Sequence, residues 1–409
     1  MKSTSRSLMI PANFERGHNA EETLKANRRI VLRHIMRENV LTRKDLTDLT
    51  GLRGATITII VNELLEKEYI KKVGLQDGGN GRKVACFGIN DDALYGIAVQ
   101  IYYTYVKIGA YDMHFNNLAF ERIVMDTQED VDHTLDVMAD MVVRMREKFK
   151  DRTLIGVSVG LDDKYPLLNG ELVYQRKTAS LPISFHDEIA KRTGCNPLVD
   201  RTLNISTYDL HQKNLLPSKG TTILLFIYKK SAESGLIING EIYKGRLGNS
   251  GLFGEIYTIS LQGERVKFRD LLSGDAILSR MEGLLPDYPD SAMVTKSSVE
   301  MEDVCSGYFQ DDPLCLKLFG EVAYYLGQLI AIMVNVLDPI NIMLSDYLPF
   351  DERLMNLILF EAQKGVSLPL SRELLSVQKI GRAQDSPSLL GGIRLMSQEW
   401  VANLFDSMT

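Results

Sequence analysis

A change of hydrophobic period close to residue 90 constrains this chain more than any other feature. Before it, apolar residues recur at helical spacing. Ile57, Ile60, Val61 and Leu64 stand at i, i+3, i+4 and i+7 of the segment 54–67, which gathers them into one buried stripe. From Leu94 onward, β-rich runs such as Tyr95-Gly96-Ile97-Ala98-Val99 and Leu154-Ile155-Gly156-Val157-Ser158-Val159 alternate with helical segments, the signature of an α/β body. At 409 residues the chain also exceeds what one ordinary core supports. Charge divides at the same place. Residues 1–90 hold sixteen Lys and Arg against ten Asp and Glu, net +6, whereas the remainder holds 31 against 43, net −12. A basic head on an acidic body points to a polyanion partner for the head alone.

The head reads as a small helical module. Residues 27–39 place Val31, Leu32 and Ile35 on one helical face. Thr42-Arg43-Lys44-Asp45 has the form of a capping box, with Thr42 as N-cap and Asp45 reaching back. The short helix it opens buries Leu46 and Leu49, and Gly51 permits a tight turn before the next helix. That helix presents Ala55, Thr58, Ile59 and Asn62 opposite its apolar stripe, small or polar groups able to approach base edges. Arg43, Arg53 and Thr56 stand near helix starts, where phosphate contacts are favoured. Two short runs, 69–73 and 82–87, flank the glycine-rich tip Asp77-Gly78-Gly79-Asn80-Gly81. They predict a hairpin whose Arg82 and Lys83 suit a phosphate or a minor groove. Turn, recognition face and basic hairpin agree on a winged helix-turn-helix that binds double-stranded DNA, against the blander reading of a tri-helical protein-binding module.

Apolar content of 45% with 24% charged residues is that of a soluble globular protein. The first residues carry no apolar leader, and no uninterrupted apolar run reaches bilayer length. Cys86, Cys195, Cys305 and Cys315 have no ligand spacing, so reduced thiols and a cytoplasmic location are expected.

Three stretches carry a family likeness: the head with its closing Gly81-Arg82-Lys83, the hairpin GLIINGEIYKGRLGNSG (235–251), and YLGQLIAIMVNVLDPINIML (325–344). Together they resemble the ROK family of repressors, open reading frames and sugar kinases, and its xylose and N-acetylglucosamine repressors in particular. The resemblance covers residue 27 to about residue 400. It implies an N-terminal winged helix-turn-helix followed by a two-lobed, actin-like (RNase H-type) α/β domain. The expected layout is an arm at 1–22, the DNA-binding domain at 23–90, an N-terminal lobe at 91–210 and a C-terminal, oligomerising lobe at 211–391. The last helix, 392–409, is expected to pack back on the N-terminal lobe.

Departures from the family pattern bear on chemistry. The kinases of the family cradle ATP phosphates with an Asp-x-Gly-Gly-Thr turn; here the stretch is Gln100-Ile101-Tyr102-Tyr103-Thr104, and side chains fill the space the glycines leave for backbone amides. The second phosphate loop, Gly-rich in the family, reads Lys229-Lys230-Ser231-Ala232-Glu233-Ser234-Gly235. Thr202 stands where the family's catalytic Asp removes a proton from the sugar hydroxyl, and an unactivated hydroxyl is no base. The family's zinc histidine and cysteines are replaced within Ser250–Glu255 and 260–267, leaving no soft ligand. Neither metal nor other cofactor is expected, and no enzyme activity.

The resemblance assigns the family's sugar contacts to Arg201, Thr202, Leu252, Glu255 and Arg269; Asn204, with Asp162 and Asp163, remains able to hydrogen-bond a polyol, and Lys267 stands nearby. Arginine forks at 201 and 269 suit a carboxylate or phosphate, so a sugar acid or sugar phosphate is the expected ligand; internal salt bridges are the alternative. The expected function is a DNA-binding regulator, a repressor of carbohydrate genes. A ligand-independent oligomeric DNA binder and a sugar kinase are the competing readings. One head reads one half-site, so a homodimer or homotetramer is expected, with no membrane partner.

Overall fold

The computed structural model describes residues 20–77, 83–127, 129–161, 165–168, 171–176, 181–213, 220–228, 230–246, 250–345, 347–379 and 387–406. It divides into two compact units. The head comprises the chain up to Leu94 together with the segment from Gln398 onward, and the body comprises Tyr95–Ser397.

In the head, α1 (Ala20–Glu38) begins earlier than its apolar residues suggest. Glu21 and Glu22 sit in its first turn, where negative charge favours the helix dipole, and Lys25 pairs with Glu21 at 3.1 Å. Strand β1 (Leu41–Thr42) leads into α2 (Arg43–Thr50), and α3 (Gly54–Glu66) follows. The capping box forms as the spacing predicts: Asp45 N donates to Thr42 Oγ1 at 3.2 Å, and Thr42 N donates to Asp45 Oδ2 at 2.8 Å. Gly51 ends α2 at φ +69°, a left-handed conformation suited to glycine. Val31, Leu32, Ile35, Leu46, Ile57, Ile60, Val61 and Leu64 are all completely buried. They close one core between the three helices. Leu49, expected inside, is 45% exposed; the turn of α2 that carries it ends one residue later and leaves it at the rim. β2 (Ile70–Asp77) and β3 (Lys83–Ile89) pair antiparallel, and β1 adds to β3.

The body holds two five-stranded sheets. The first has the order β11-β7-β4-β5-β6, from β4 (Leu94–Tyr102), β5 (Tyr105–Tyr111), β6 (Asn117–Val124), β7 (Thr153–Leu161) and β11 (Pro197–Arg201). Between β7 and β11 lie the short strands β8 (Leu167–Leu168), β9 (Glu171–Tyr174) and β10 (Ile183–Ser184). Alternation along β4 sorts its faces. Tyr95, Ile97, Val99 and Ile101 join the core beneath α4 (Val131–Lys148) and α5 (Phe185–Thr193), while Gly96, Ala98 and Gln100 face the other way.

α6 (Thr202–Lys213) leads from the first sheet to the second. The second sheet runs β14-β13-β12-β17-β18, from β12 (Thr221–Ile227), β13 (Ala232–Ile238), β14 (Glu241–Ile242), β17 (Asn341–Leu344) and β18 (Val377–Lys379). Leu203 and Leu210 of α6 pack on Leu224, Phe226 and Met343. The opposite face, with Ile223, Leu225, Ile227, Ile342 and Leu344, belongs to the large core with α7 (Arg269–Leu272), α8 (Gly274–Leu284), α9 (Met301–Phe309), α10 (Pro313–Leu337) and α11 (Glu352–Gly365); the short α12 (Pro369–Glu373) follows. Length and composition would let α10 cross a bilayer, but its buried stripe from Leu314 to Val334 belongs to that core.

The final helix, α13 (Pro387–Asn403), is divided between the units, whereas the sequence placed 392–409 on the N-terminal lobe. Its first turns belong to the body because Gly391 and Gly392 let the backbone approach closely. A methyl at Gly391 would lie 2.1 Å from the Ile205 carbonyl oxygen, and one at Gly392 2.2 Å from Ser158 Oγ. Met396 lies close against Gly96 and Gly156. From Gln398 the chain belongs to the head: Trp400 meets the Tyr69 ring edge-on at 5.4 Å, Arg28 lies over Phe405, and Arg29 pairs with Asp406.

Candidate nucleic-acid interface and ligand cleft

The outward face of α3 is built from Ala55, Thr58, Ile59 and Asn62, all exposed, while Thr56 is half-buried. Arg53 stands at the N-cap with no side-chain cap bond, and its side chain is exposed beside the first turn. Thr58 Oγ1 donates to the Gly54 carbonyl at 2.9 Å. Arg43, from α2, lies 4.7 Å from the Phe87 ring centroid, and its Nη2 donates to Asn62 Oδ1 at 2.8 Å. Stacking and hydrogen bond hold the guanidinium against the outward face of α3. Lys83 is exposed at the start of β3. Arg82 and the hairpin tip lie outside the described residues. The structure thus brings Arg43, Asn62, Thr58 and Ala55 to one surface, with Arg53 at its edge.

In the body, a cavity opens where β4, β7, α6 and the start of β13 converge. Tyr102, Tyr103, Leu161, Thr202, Leu203, Tyr228, Ser231 and Glu233 line it. Tyr102 stacks on Tyr105 at 5.3 Å and meets Tyr103 edge-on at 5.4 Å, while Tyr228 stacks on Phe226 at 5.9 Å. Aromatic rings therefore stand where the family's first phosphate turn needs glycine. Glu233 adds a buried carboxylate from the second loop. Both features oppose a polyphosphate.

Of the expected effector residues that are described, Thr202 alone lines this cavity. Its Oγ1 is buried without a hydrogen-bond partner, an acceptor and donor left for a ligand or water. Arg201 is buried, with Nη2 3.4 Å from the Tyr165 carbonyl oxygen. Asn204 Nδ2 donates to Asp200 Oδ1 at 2.8 Å, and Lys244 pairs with the same carboxylate. Glu255 and Arg269 form a separate group: Glu255 accepts from Arg269 Nη1 at 2.5 Å and from Lys267 Nζ at 2.7 Å. Arg269 and Lys267 thus share one carboxylate at the partly exposed surface, a salt-bridged arrangement. Asp162 and Asp163 lie outside the described residues.

Residue chemistry had marked Tyr102, Tyr103 and Glu233 only as obstacles to a phosphate. Asp200, Lys244 and Tyr228 had no signal of their own, since strands distant in sequence bring them together.

The zinc that the resemblance implies does not fit. β15 (Tyr257–Ile259) and β16 (Arg265–Lys267) are joined by a turn closed with backbone bonds, Gly263 N to Ser260 O at 2.9 Å and Ser260 N to Glu264 O at 2.8 Å. Leu261 N donates to Tyr325 Oη at 2.8 Å. The turn offers hydroxyl, amide and carboxylate groups in place of thiolates.

Comparison with known proteins agrees with this architecture. The chain is similar to the DNA-binding transcriptional dual regulator NagC of Escherichia coli K12, 23% identical over 82% of this chain and 84% of that one. It is 22% identical to the xylose repressor of Bacillus spizizenii, over 79% of this chain and 82% of the repressor. A crystal structure of a ROK family transcriptional regulator, a homologue of the E. coli Mlc protein, superposes with a TM-score of 0.76. The two are 18% identical, and the match covers 94% of this chain and 98% of that one. The ROK family model itself matches residues 96–399, and the chain belongs to the ROK family.

Proposed function

We propose that this protein is a DNA-binding transcriptional regulator, a repressor of carbohydrate-metabolism genes, whose body senses a small sugar-like ligand and has no kinase activity. The observation that carries the proposal is the α3 face. Its residues Ala55, Thr58, Ile59 and Asn62 are exposed and uncharged, Arg43 and Arg53 stand beside them, Lys83 is exposed at the start of β3, and residues 1–90 carry a net charge of +6. In this reading α2, the Gly51 turn and α3 form the helix-turn-helix, β2 and β3 form the wing, and Arg82 with Lys83 meets the sugar-phosphate backbone. The names of the repressor relatives support the same reading. Two such heads read paired half-sites, so the regulator works as a homodimer or homotetramer in the cytoplasm.

The body binds its ligand in the tyrosine-lined cavity. Tyr102, Tyr103 and Tyr228 offer faces on which a sugar ring can lie, and Thr202 offers a hydroxyl. A sugar acid or sugar phosphate, the ligand expected from Arg201 and Arg269, meets the buried Glu233 carboxylate there, while Arg269, which is not among the lining residues, is already paired with Glu255. A neutral polyol meets no such competitor and is the better supported ligand. Phosphoryl transfer lacks both its phosphate cradle and, with threonine at 202, its base.

Two measurements test the proposal. Purified protein should retain duplex DNA at low ionic strength, and Arg53→Ala should reduce the slope of log K against log salt by about one. No ATP turnover should accompany any sugar; sugar-dependent hydrolysis would make the body a kinase. A thermal-shift panel of neutral sugars, sugar acids and sugar phosphates then separates the two ligand classes, and stabilisation by none of them favours a ligand-independent binder.

A further inference from the structure

The recognition face has a chemical character that sets what it can read. Ala55, Thr58, Ile59 and Asn62 occupy i, i+3, i+4 and i+7 of α3 and are all exposed. Ile59 is 63% exposed, in the middle of the row. Exposed isoleucines occur singly on many surfaces, and the head has other exposed apolar side chains. Ile59 differs in its neighbours: Ala55, Thr58 and Asn62 around it are exposed and uncharged, and Glu63 one turn on is part-buried and paired with Arg28 at 2.7 Å.

The polar groups on this row are already committed in one sense. The Thr58 hydroxyl donates to Gly54 O, which leaves its methyl as the free part of the side chain. Asn62 Oδ1 accepts from Arg43 Nη2. Because a guanidinium only donates, this bond fixes the amide with its oxygen toward Arg43 and its NH2 group outward. An asparagine held this way has one oxygen lone pair already committed, which constrains how it can clasp adenine, where the amide must accept from N6 and donate to N7 together. What α3 mainly offers a major groove is three methyl-bearing side chains and the Asn62 NH2 donor, with only the spare lone pairs of Thr58 and Asn62 as acceptors.

The matching feature of a base pair is the thymine 5-methyl group, with thymine O4 or guanine O6 and N7 as acceptors for the amide. We propose that α3 reads its half-site through thymine methyls, with Ile59 as the principal reader, Ala55 and Thr58 as flanking contacts, and the Arg43–Asn62 unit donating to a neighbouring acceptor. The proposal rests on the DNA-binding reading above. It names the groups on DNA that the face recognises, and it assigns guanine recognition to Arg43 or Asn62 in place of any arginine on α3.

The test uses the full-length protein. A preferred duplex is selected from a random library, and each thymine in the half-site is then replaced singly by uracil, which removes only the methyl. At constant salt, uracil at one or two adjacent positions should weaken wild-type binding about three- to fivefold, as expected for one lost methyl contact. The Ile59→Ala protein should bind thymine and uracil duplexes equally, and Ile59→Val should show an intermediate ratio. Because Ile59 is exposed, these variants keep the fold. Equal wild-type affinity for thymine and uracil duplexes would overturn the proposal while leaving DNA binding intact. So would an Ile59→Ala protein that keeps the wild-type ratio, or a selected half-site without thymine. Retention of no duplex at all would bring down the DNA-binding reading and this inference with it.

Discussion

α3 in the head and α6 in the body both stand at candidate sites, yet they are opposite kinds of helix. α3 buries Ile57, Ile60, Val61 and Leu64 and turns a neutral row outward. α6 is enclosed on nearly every side: nine of its twelve residues, Leu203 through His211, are buried, among them Asn204, Thr207, Asp209 and His211. A helix with one wet face can be recognised from its period. A helix wedged between two sheets has no dry and wet side to alternate, and its polar residues must find partners inside. Asp209 has no exposed side-chain surface and pairs with Arg394 at 2.9 Å and Lys213 at 3.0 Å. Thr207 packs so closely on Gly235 that any side chain there would collide with it. Information is displayed on α3, whereas on α6 it is stored in packing.

The largest effect that would test this contrast is on the dry side of α3. Ile60→Ala should cost about 3.5 kcal/mol of stability in denaturant titration, since Ile60 is completely buried in the head core; a loss below 1 kcal/mol would mean that the stripe is not a core. Next comes Asp209→Ala, which strands Arg394 and Lys213. Both are partly exposed, so the loss should be about 2–3 kcal/mol, toward the low end for a broken buried pair. A double-mutant cycle with Arg394→Ala should return a coupling of about 1 kcal/mol or more. Additivity would show that the pair is not a unit.

A smaller effect follows from His211. Burial on α6 holds its imidazole below the ordinary value of 6.5. The unfolded chain then binds the proton more readily than the folded one. Stability associated with His211 is therefore full above about pH 6.5 and declines as pH falls through that value toward the folded pKa. The difference in stability between wild type and His211→Gln should shrink on acidification, and a constant difference between pH 7.5 and 5.5 would refute the assignment. Smallest of all, Ile59→Ala on the wet side of α3 should change stability by no more than about 0.5 kcal/mol, one residue from the most costly change. A large loss there would show that this side is covered within the protein.

The sequence made the head legible in detail. The Thr42–Asp45 cap, the Gly51 turn, the stripe of α3 and the β2–β3 hairpin are local devices, each set by residues within a few positions of one another. Leu49 departs from its expected burial because a helix of eight residues is too short for its apolar pattern to say where its edge lies. The start of α1 failed because Glu21, Glu22 and Lys25 stabilise a helix without an apolar pattern. In the body, the family's motifs located Tyr102, Tyr103, Thr202 and Glu233 along the chain, and these residues do converge on one cavity. Motif positions did not show that Glu255 already occupies Arg269 and Lys267, nor that Lys244 reaches Asp200.

What the sequence by itself determined is the break near residue 90, the basic three-helix head, the two strand sets of the body, and the replacement of glycines by tyrosines at the phosphate turn. The first three follow from period and charge, which act over short spans of chain, and the last is what the family resemblance implies for residues 100–104. Tertiary structure decided which charges are free and which are paired, the complete burial of α6, and the division of α13 between body and head. Such outcomes depend on the partner that each side chain meets across the fold. Gly391 and Gly392 draw one half of α13 onto Ile205 and Ser158, while Trp400 and Phe405 find Tyr69 and Arg28 at the other end. No local period encodes such meetings, because the residues involved lie hundreds of positions apart.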